Sequence, residues 1–297
     1  MPYADLTFQV QPGLRFVPND FVNVYVPTTT TTTTATPTTT TTTTPPPTTT
    51  TTTTAAGGIV TSGLIVNLDA SNPSSYTSGS TWFDLSGNGY NATAQGSVPF
   101  TSAGQQSYFG FSGSSSNYFL GNSNLYGTNS NQISGTVGVS YSFIFRPSSV
   151  SSRTVMISTY QSNAGYIMEL GTLGGLWTNT IRNYLSDNGA IRSSDNRGGS
   201  NQVSNGVTYL ITATWNQATK LSQLYVNSTL IPQDNGSYNA ANITSSWANS
   251  GNYKLMADVA QSLGAYGNLY TAYIYNRPLT AGEVTQNYNA LQSRFGL

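Results

Sequence analysis

Carboxylates are the main candidates for acid–base chemistry in this sequence. The chain of 297 residues contains no histidine and no cysteine, which removes the commonest general base, the commonest zinc ligand and every thiolate nucleophile. The acidic residues after position 57 are Asp69, Asp84, Glu169, Asp187, Asp195, Asp234, Asp258 and Glu283. No two of them stand at i and i+2 of one strand, so the paired carboxylates of glycoside hydrolysis are missing locally. The sequence therefore predicts a protein that is not an enzyme.

The segment 84–89 imitates part of a calcium-binding loop. It has oxygen-bearing side chains at its first, third and fifth positions and a glycine at the sixth. Gln95 stands where an EF-hand has its bidentate glutamate, so an EF-hand is excluded. The pattern favours a structural turn that requires no cofactor. The alternative is a structural calcium site formed by Asp69, Asp84 and Asn88.

Aromatic residues near polar loops are candidates for contact with sugars. Carbohydrate sites combine an aromatic platform with amide and hydroxyl groups. Four aromatic residues are expected in or beside Asn/Ser-rich loops, namely Tyr160, Trp177, Tyr184 and Trp247. For any single one of them, packing or a contact between subunits is the simpler interpretation. Trp82 and Trp215 lie in apolar surroundings, which predicts positions in the core.

The composition excludes two classes of partner. Only 7% of the residues are charged and the formal net charge is +0, so there is no basic patch of the kind that binds nucleic acid. No apolar run approaches the roughly 18–20 residues that span a bilayer. The first residues also lack the basic and apolar regions of a secretory signal. We expect no nucleic acid, no membrane insertion, and a polar surface suited to sugars or to assembly.

Residues 1–26 show the alternation of two short β-strands separated by turns. The residues predicted to form an assembly anchor are Leu6, Phe8, Val10, Phe16, Val22, Val24 and Val26. Twenty-six residues cannot bury a core of their own. The segment is therefore either a flexible tail or an anchor that completes its core with other subunits. The two patterned strands favour the anchor, and with it a homo-oligomer.

Residues 27–56 consist almost entirely of threonine, interrupted by proline and ending in alanine. Threonine disfavours helix here and proline sets the polyproline II value of φ, which predicts an extended stalk. At about 3.1 Å per residue the segment would span on the order of 80 Å. A disordered linker is the plain alternative. Sugars on the threonines or neighbouring chains could hold the stalk in place.

Residues 57–297 are predicted to form one all-β domain. Short apolar or alternating runs recur, and clusters of Gly, Asn, Ser and Asp separate them, as in a sandwich or jelly roll. One helix is predicted near the end. Thr280 and Glu283 form a capping box, and Val284, Tyr288 and Leu291 then fall on one face.

Three stretches resemble one known family. They are GLIVNLDASNPSSYTSGSTWFDLSGNGYN (63–91), VTYLITATWNQATKLSQLYVNSTLI (207–231) and YTAYIYNRPLTAGEVTQNYNALQSRFGL (270–297). They are similar to the laminin-G-like, concanavalin A-like lectin/glucanase superfamily, as found in phage and bacterial surface proteins. The resemblance implies a jelly-roll sandwich with a short C-terminal helix. Ser112 replaces the aspartate of the family's FDG motif, which weighs against a family calcium site.

Together these features predict a non-enzymatic appendage on a virion surface, either a phage fibre or a capsid decoration protein. Residues 1–26 would bind other virion subunits, and the head would adhere to host-surface glycans. The alternative is a self-assembling subunit of an extracellular filament or sheath, with sugars on the threonine stalk. A third class, a glycan-active enzyme, requires two carboxylates roughly 5–10 Å apart in a cleft.

Overall fold

The computed structural model describes residues 57–159, 165–173, 177–186, 196–198, 201–235, 243, 252–258 and 262–297. Within these ranges the side chains of 122–124, 172–173, 177–178, 186, 196–198 and 233–235 are not described. The predicted anchor and stalk, together with Tyr160 and Trp247, lie outside the described residues. Within the described part, no helix is both long and apolar enough to cross a bilayer.

The domain is built from short strands that all pair antiparallel to one another. In chain order the described strands are β1 (Leu64–Asp69), β2 (Thr81–Trp82), β3 (Ala92–Gln95), β4 (Phe100–Thr101), β5 (Tyr108–Ser112), β6 (Tyr118–Asn124), β7 (Gly138–Pro147), β8 (Thr154–Ser158), β9 (Gly165–Leu173), β10 (Trp177–Ser186), β11 (Asn196–Gly198), β12 (Tyr209–Asn216), β13 (Leu221–Val226), β14 (Thr229–Leu230), β15 (Gln233–Asn235), β16 (Asn252–Leu255) and β17 (Tyr266–Tyr275). A short 3₁₀ helix occupies Gly104–Gln106.

The strands form two sheets. Sheet I has the order β14-β13-β12-β7-β17-β5-β4, and β1 also pairs with β17. Sheet II has the order β15-β11-β10-β9-β8-β16-β6-β3-β2. The predicted fold class, an all-β sandwich with one short C-terminal helix, is confirmed.

The core lies between the sheets and is rich in aromatic side chains. Trp82 and Trp215 are fully buried, as the sequence predicts. The Trp82 ring lies 4.8 Å from that of Phe109 and 5.1 Å from that of Phe119, in tilted geometries. Burying each such side chain stabilises the fold by about 1.5–3 kcal/mol. This core explains how a chain with few charges and no disulfide holds two large sheets together.

Helix α1 (Ala281–Phe295) covers the outer face of sheet I. Thr280 caps it and forms the predicted capping box with Glu283. Gly296 ends it in the left-handed conformation, with φ of 67°. Val284, Leu291 and Phe295 are buried against the sheet, with Tyr270, Tyr273 and Tyr275 in the same cluster. Since α1 occupies this face, the outer face of sheet II is the side of the sandwich without a helix among the described residues.

Two local expectations differ from the structure. Trp177 and Tyr184, expected in or beside loops, both lie in strand β10. Pairing with β9 on one side and β11 on the other overrides the turn preference of the asparagines in this segment. The sequence Asp234-Asn235-Gly236 is a turn signal, yet in the structure Asp234 and Asn235 belong to β15, which pairs with β11.

Candidate functional site

The outer face of sheet II carries a buried carboxylate held by two arginines. Arg153 donates to Glu169 Oε2 from Nε at 2.6 Å and from Nη2 at 2.5 Å. Arg182 donates from Nη1 to Oε1 at 3.2 Å. The Glu169 side chain is 0% exposed, whereas those of Arg153 and Arg182 are 36% and 18% exposed. We call these three residues the arginine cluster.

Strand alternation places the arginine cluster outside the core. Tyr166, Met168 and Leu170 of β9 belong to the core between the sheets. Glu169 therefore points the other way. Val155 of β8 and Arg182 of β10 stand opposite Glu169 in register, so Arg182 reaches the carboxylate from the next strand.

A glycine brings Arg153 to the same carboxylate. Gly171 has φ of +118°, and a Cβ built on it would lie 2.1 Å from the backbone oxygen of Ser152 and 3.2 Å from Cα of Arg153. The segment before β8 can therefore lie directly against β9 only because position 171 lacks a side chain. The arginine next to that contact then covers Glu169.

Burial and the arginines act in opposite directions on Glu169. Burial raises the pKa of this carboxyl above its usual value, and the charges and hydrogen bonds of Arg153 and Arg182 oppose that rise. A buried carboxylate needs such partners, because desolvation of an unpaired charge is very costly. The arginine side chains are therefore partly exposed to solvent, whereas the Glu169 carboxylate is buried beneath them.

Aromatic rings accompany the cations on this face. The Arg182 guanidinium carbon lies 4.9 Å from the centroid of the half-buried Tyr184 ring. Lys254 Nζ lies 4.7 Å from the Tyr118 centroid. Both are within the range of cation–π attraction. Tyr184 is thus the predicted aromatic residue that the structure places beside polar groups, whereas the Trp177 side chain lies outside the description.

A second arginine–carboxylate contact lies at the end of β1. Arg294 of α1 donates from Nη1 and Nη2 to the two oxygens of Asp69, both at 2.6 Å, and from Nε to the carbonyl of Gln105 at 2.8 Å. This contact, the Asp69–Arg294 clasp, ties the last turn of the helix to sheet I. It lines an open cleft of about 540 Å³ together with Ser71, Asn72, Pro73, Gly104 and Gln105.

The calcium-like turn is organised by hydrogen bonds. Asp84 Oδ1 accepts from the amides of Asn67 and Ser86, and Oδ2 accepts from the Ser86 hydroxyl and the Tyr90 amide, at 2.7 to 3.1 Å. The Asn88 side-chain amide donates to the Ser86 hydroxyl at 2.9 Å. These donors already meet both oxygens of Asp84, and a calcium ion would have to replace them.

The other predicted ligand, Asp69, faces Arg294 instead. Among the described residues, no three His, Cys, Asp or Glu side chains gather as a metal site would require. The geometry therefore favours the structural turn, and the calcium site stays a prediction.

Every acidic side chain that the structure describes is bound by other groups of the protein. Asp69, Glu169 and Glu283 face arginines. Asp84 accepts the four hydrogen bonds above, and Asp258 accepts from the amide and hydroxyl of Ser262. A general acid or base must reach its substrate. The described carboxylates are arranged as structural partners.

Sequence reasoning missed the arginine cluster. Its members are separated by 16 and 13 positions along the chain, so no short motif contains them. One signal was available. Glu169 interrupts an apolar strand, and a charge at such a position requires a partner on the same face.

The fold defines the class of this domain as an antiparallel β-sandwich. No family model matches the sequence, and no curated protein sequence matches it either. Among solved structures, the binding domain of botulinum neurotoxin DC in complex with SialylT is similar, with a TM-score of 0.57 and 18% identity over 78% of this chain and 52% of that one.

Two further structures are similar to the same extent. The neurotoxin DC binding domain in complex with rat synaptotagmin II has a TM-score of 0.55 and 17% identity, over 77% of this chain and 52% of that one. The binding domain of Paraclostridial Mosquitocidal Protein 1 has a TM-score of 0.56 and 16% identity, over 77% of this chain and 52% of that one. The chain thus matches about half the length of these binding domains, and at such identities the likeness shows the fold alone.

Proposed function

We propose that residues 57–297 form a non-catalytic binding head that recognises glycans through the outer face of sheet II. The observation that carries the proposal is the arginine cluster with Tyr184 beside it. Guanidinium groups present several hydrogen-bond donors in fixed directions. A half-buried tyrosine ring adds a rigid apolar surface and a hydroxyl. Polar donors beside an aromatic ring are the combination that a sugar requires.

The structural neighbours support a binding role over a catalytic one. These neighbours are binding or receptor-binding domains, and one of them is in complex with SialylT. Cell entry of another neighbour, botulinum neurotoxin type C, depends on two ganglioside molecules. The way the described carboxylates are engaged by arginines and hydrogen-bond donors supports the same conclusion. The head would therefore hold a glycan without cleaving it.

Residues 1–56 would display this head on the surface of a virion, as a phage fibre or capsid decoration. The support is in the sequence: two patterned strands too short to bury a core, followed by a threonine- and proline-rich segment. Residues 1–26 would bind other subunits of the particle. An extracellular filament built from the same contacts is the alternative assembly.

A glycan array probed with the full-length chain tests the binding role. We expect a restricted set of glycans to bind, and Tyr184→Ala and Arg182→Ala to weaken binding to that set. Arg146→Ala is the matched control, because Arg146 is an exposed arginine on a strand of sheet I. A chain that binds no glycan, or variants that bind as well as the parent, would remove the proposal.

Imaging of the native particle by electron cryomicroscopy tests the display role separately. Heads that project from a capsid or tail support the virion appendage. A helical polymer of this chain alone supports the filament instead. Deletion of residues 1–26 should leave a folded head that no longer associates, and unchanged association would contradict the anchor.

A further inference from the structure

We infer that the head has a mechanical function built into residues 58–62. This segment, which we call the strap, is held against α1 and carries force from the preceding part of the chain into the sandwich. The inference rests on the proposed display of the head through residues 1–56 and goes beyond it, because it names the contacts that bear the force. It follows from one polar residue at a core position of α1 and from the place where the chain enters the domain.

Asn287 occupies a position of α1 at which an apolar side chain is expected. It lies between Val284 and Leu291 in the buried stripe of the helix and is 0% exposed. Its side-chain oxygen accepts a hydrogen bond from the backbone amide of Val60 at 2.8 Å, and its side-chain nitrogen donates to Tyr275 Oη at 3.0 Å. A backbone amide only donates, so the contact with Val60 fixes the orientation of the Asn287 amide. Because a buried polar group is costly unless it is paired, the strap explains an asparagine that helix packing alone does not.

Two further side chains hold the ends of the strap. Gln286 donates from Nε2 to the carbonyl of Gly58 at 3.0 Å, and Arg277 donates from Nε to the carbonyl of Ser62 at 3.0 Å. Between these contacts, Val60 is 5% exposed and belongs to the apolar cluster beneath α1. The strap is thus fixed at its start, middle and end by groups outside it, although it belongs to no strand.

A tight turn separates the strap from β1. The Leu64 amide donates to the carbonyl of Thr61 at 3.1 Å, and Gly63 has φ of +74°. A Cβ built on Gly63 would lie 2.9 Å from Asn276 Oδ1, so the absence of a side chain lets the chain pass close to the end of β17. Because the strap precedes this turn, force applied before residue 58 reaches the strap contacts before it reaches the ladder of β1 and β17.

The strap enters the domain on the side opposite the proposed binding face. Val60 lies in the cluster between α1 and the outer face of sheet I, whereas the arginine cluster lies on the outer face of sheet II. A glycan held by sheet II and a chain pulled through the strap therefore load the sandwich from opposite faces. For an appendage that holds a surface, the strap is the first part of the sandwich domain that this force meets.

Pulling on single molecules of the full-length chain tests the inference. The chain contains no cysteine, so Gly57→Cys and Ser97→Cys together provide two defined attachment points. Both positions are exposed, and Ser97 follows β3 of sheet II. The measured quantity is the time under constant force until the first extension. Release of the strap alone frees roughly 17 Å of chain, which distinguishes it from unfolding of the sandwich.

Variants of this doubly substituted chain locate the effect. Asn287→Ala should shorten the time to the first extension about tenfold, because the Val60 amide is then buried without a partner. Gln286→Ala removes a contact of an exposed residue and should shorten that time about twofold to threefold. Asp69→Ala is the matched control, because it removes the clasp near the other end of α1. It should leave the time to the first extension unchanged.

Hydrogen exchange of the unsubstituted chain gives an independent readout. The Val60 amide should exchange as slowly as the amides of β17, although it lies near the start of the folded domain, where fraying is expected. A Val60 amide that exchanges at the rate of an unstructured peptide overturns the inference. So does an Asn287→Ala chain that holds force as long as its parent. If Asp69→Ala yields as early as Asn287→Ala, the force reports the stability of the whole domain and the strap has no special role.

These results are separate from those that test the proposed function. The force and exchange measurements use the chain alone, whereas imaging tests display on a particle and the array tests glycan binding. Imaging that shows no particle or filament carrying this chain would overturn the display role. The exchange rate of Val60 and the lifetime of the Asn287→Ala chain would still decide whether the strap holds force.

Discussion

Two of the arginine–carboxylate contacts among the described residues differ in how the carboxylate is shared. In the Asp69–Arg294 clasp, one arginine uses both Nη atoms on one carboxylate and its Nε on a backbone carbonyl. The clasp balances one charge with one charge and joins a helix to a sheet. In the cluster, two partly exposed arginines share one carboxylate that is fully buried.

The difference teaches how a chain with few charges distributes them. Bidentate arginine–carboxylate pairs such as the clasp hold two elements together. Arg277 forms a second pair of this kind with Glu283 at the start of α1, with hydrogen bonds of 2.6 and 2.9 Å. The buried carboxylate of Glu169 is a weaker source of stability, because the cost of its desolvation can exceed its attraction to the two arginines.

Gly171→Val should have the largest effect on stability. The new Cβ would collide with the Ser152 carbonyl, and φ of +118° is unfavourable for any residue but glycine. We expect the free energy of unfolding to fall by about 3 kcal/mol or more, measured by urea denaturation. Gly79→Ala is the control, because Gly79 has φ of +90° with open space around it. If both variants lose equally little, Ser152 does not pack against β9 as described.

Asp69→Ala should destabilise the fold without affecting the binding face. Loss of the clasp leaves Arg294 without its carboxylate, and hydrogen bonds to charged groups contribute about 1.5–3 kcal/mol. We expect a loss of about 2 kcal/mol and faster hydrogen exchange in the last turn of α1. Glycan binding should be unchanged. A binding defect with normal stability would assign the site to the cleft beside Asp69 instead.

Tyr184→Phe and Tyr184→Ala should separate the ring from the hydroxyl. The Tyr184 ring would supply the apolar surface on which a sugar packs, so the alanine variant should lose glycan affinity. Loss of the cation–π contact with Arg182 should also cost about 0.5–1 kcal/mol of stability. The phenylalanine variant keeps the ring and should retain most of the affinity. Equal losses in the two variants would show that the hydroxyl, and not the ring, contacts the sugar.

The pH dependence of stability should have opposite signs at Glu169 and Glu283. Arg277 and the helix cap lower the pKa of Glu283 to about 2, so its contribution is present above about pH 4.5 and is lost as pH falls towards 2. Burial raises the pKa of Glu169, so the folded state binds its proton more readily than the unfolded chain. Stability then decreases as pH rises from about 4.5 through that raised pKa.

Urea denaturation of the parent, Glu283→Gln and Glu169→Gln from pH 2.5 to 7 measures how stability changes with pH at each carboxyl. The advantage of the parent over Glu283→Gln should shrink towards the acid end. Relative to Glu169→Gln, the parent should lose stability as pH increases. If the difference between parent and Glu169→Gln grew with pH, the two arginines would outweigh burial and the cluster would resemble the clasp.

Local signals in the sequence were sufficient for the helix and the core. Thr280 and Glu283 are three residues apart and form a capping box. Trp82 and Trp215 lie in apolar surroundings in the sequence. Strand β10 was missed because Asn179 and Asn183 look like turn residues. In the structure the Asn183 side chain is buried and donates to Ser222 Oγ of sheet I at 2.7 Å, a contact that only the packed sandwich provides.

The candidate site depended on contacts between distant residues. The clasp joins residues 225 positions apart, and Arg153, Glu169 and Arg182 meet only when β8, β9 and β10 pair. Periodicity predicts which face of a strand a residue occupies, but not which strand lies beside it. The anchor residues, Tyr160 and Trp247 stay predictions.

Hydrogen exchange of the full-length chain, with and without a saturating glycan identified on the array, tests the central claim most directly. The account predicts slower exchange in residues 153–158 and 165–186, where β8, β9 and β10 present the arginine cluster and Tyr184. Protection at Ser71, Asn72 and Gly104–Gln106, with none at β9 and β10, would contradict it and place the glycan in the cleft beside Asp69.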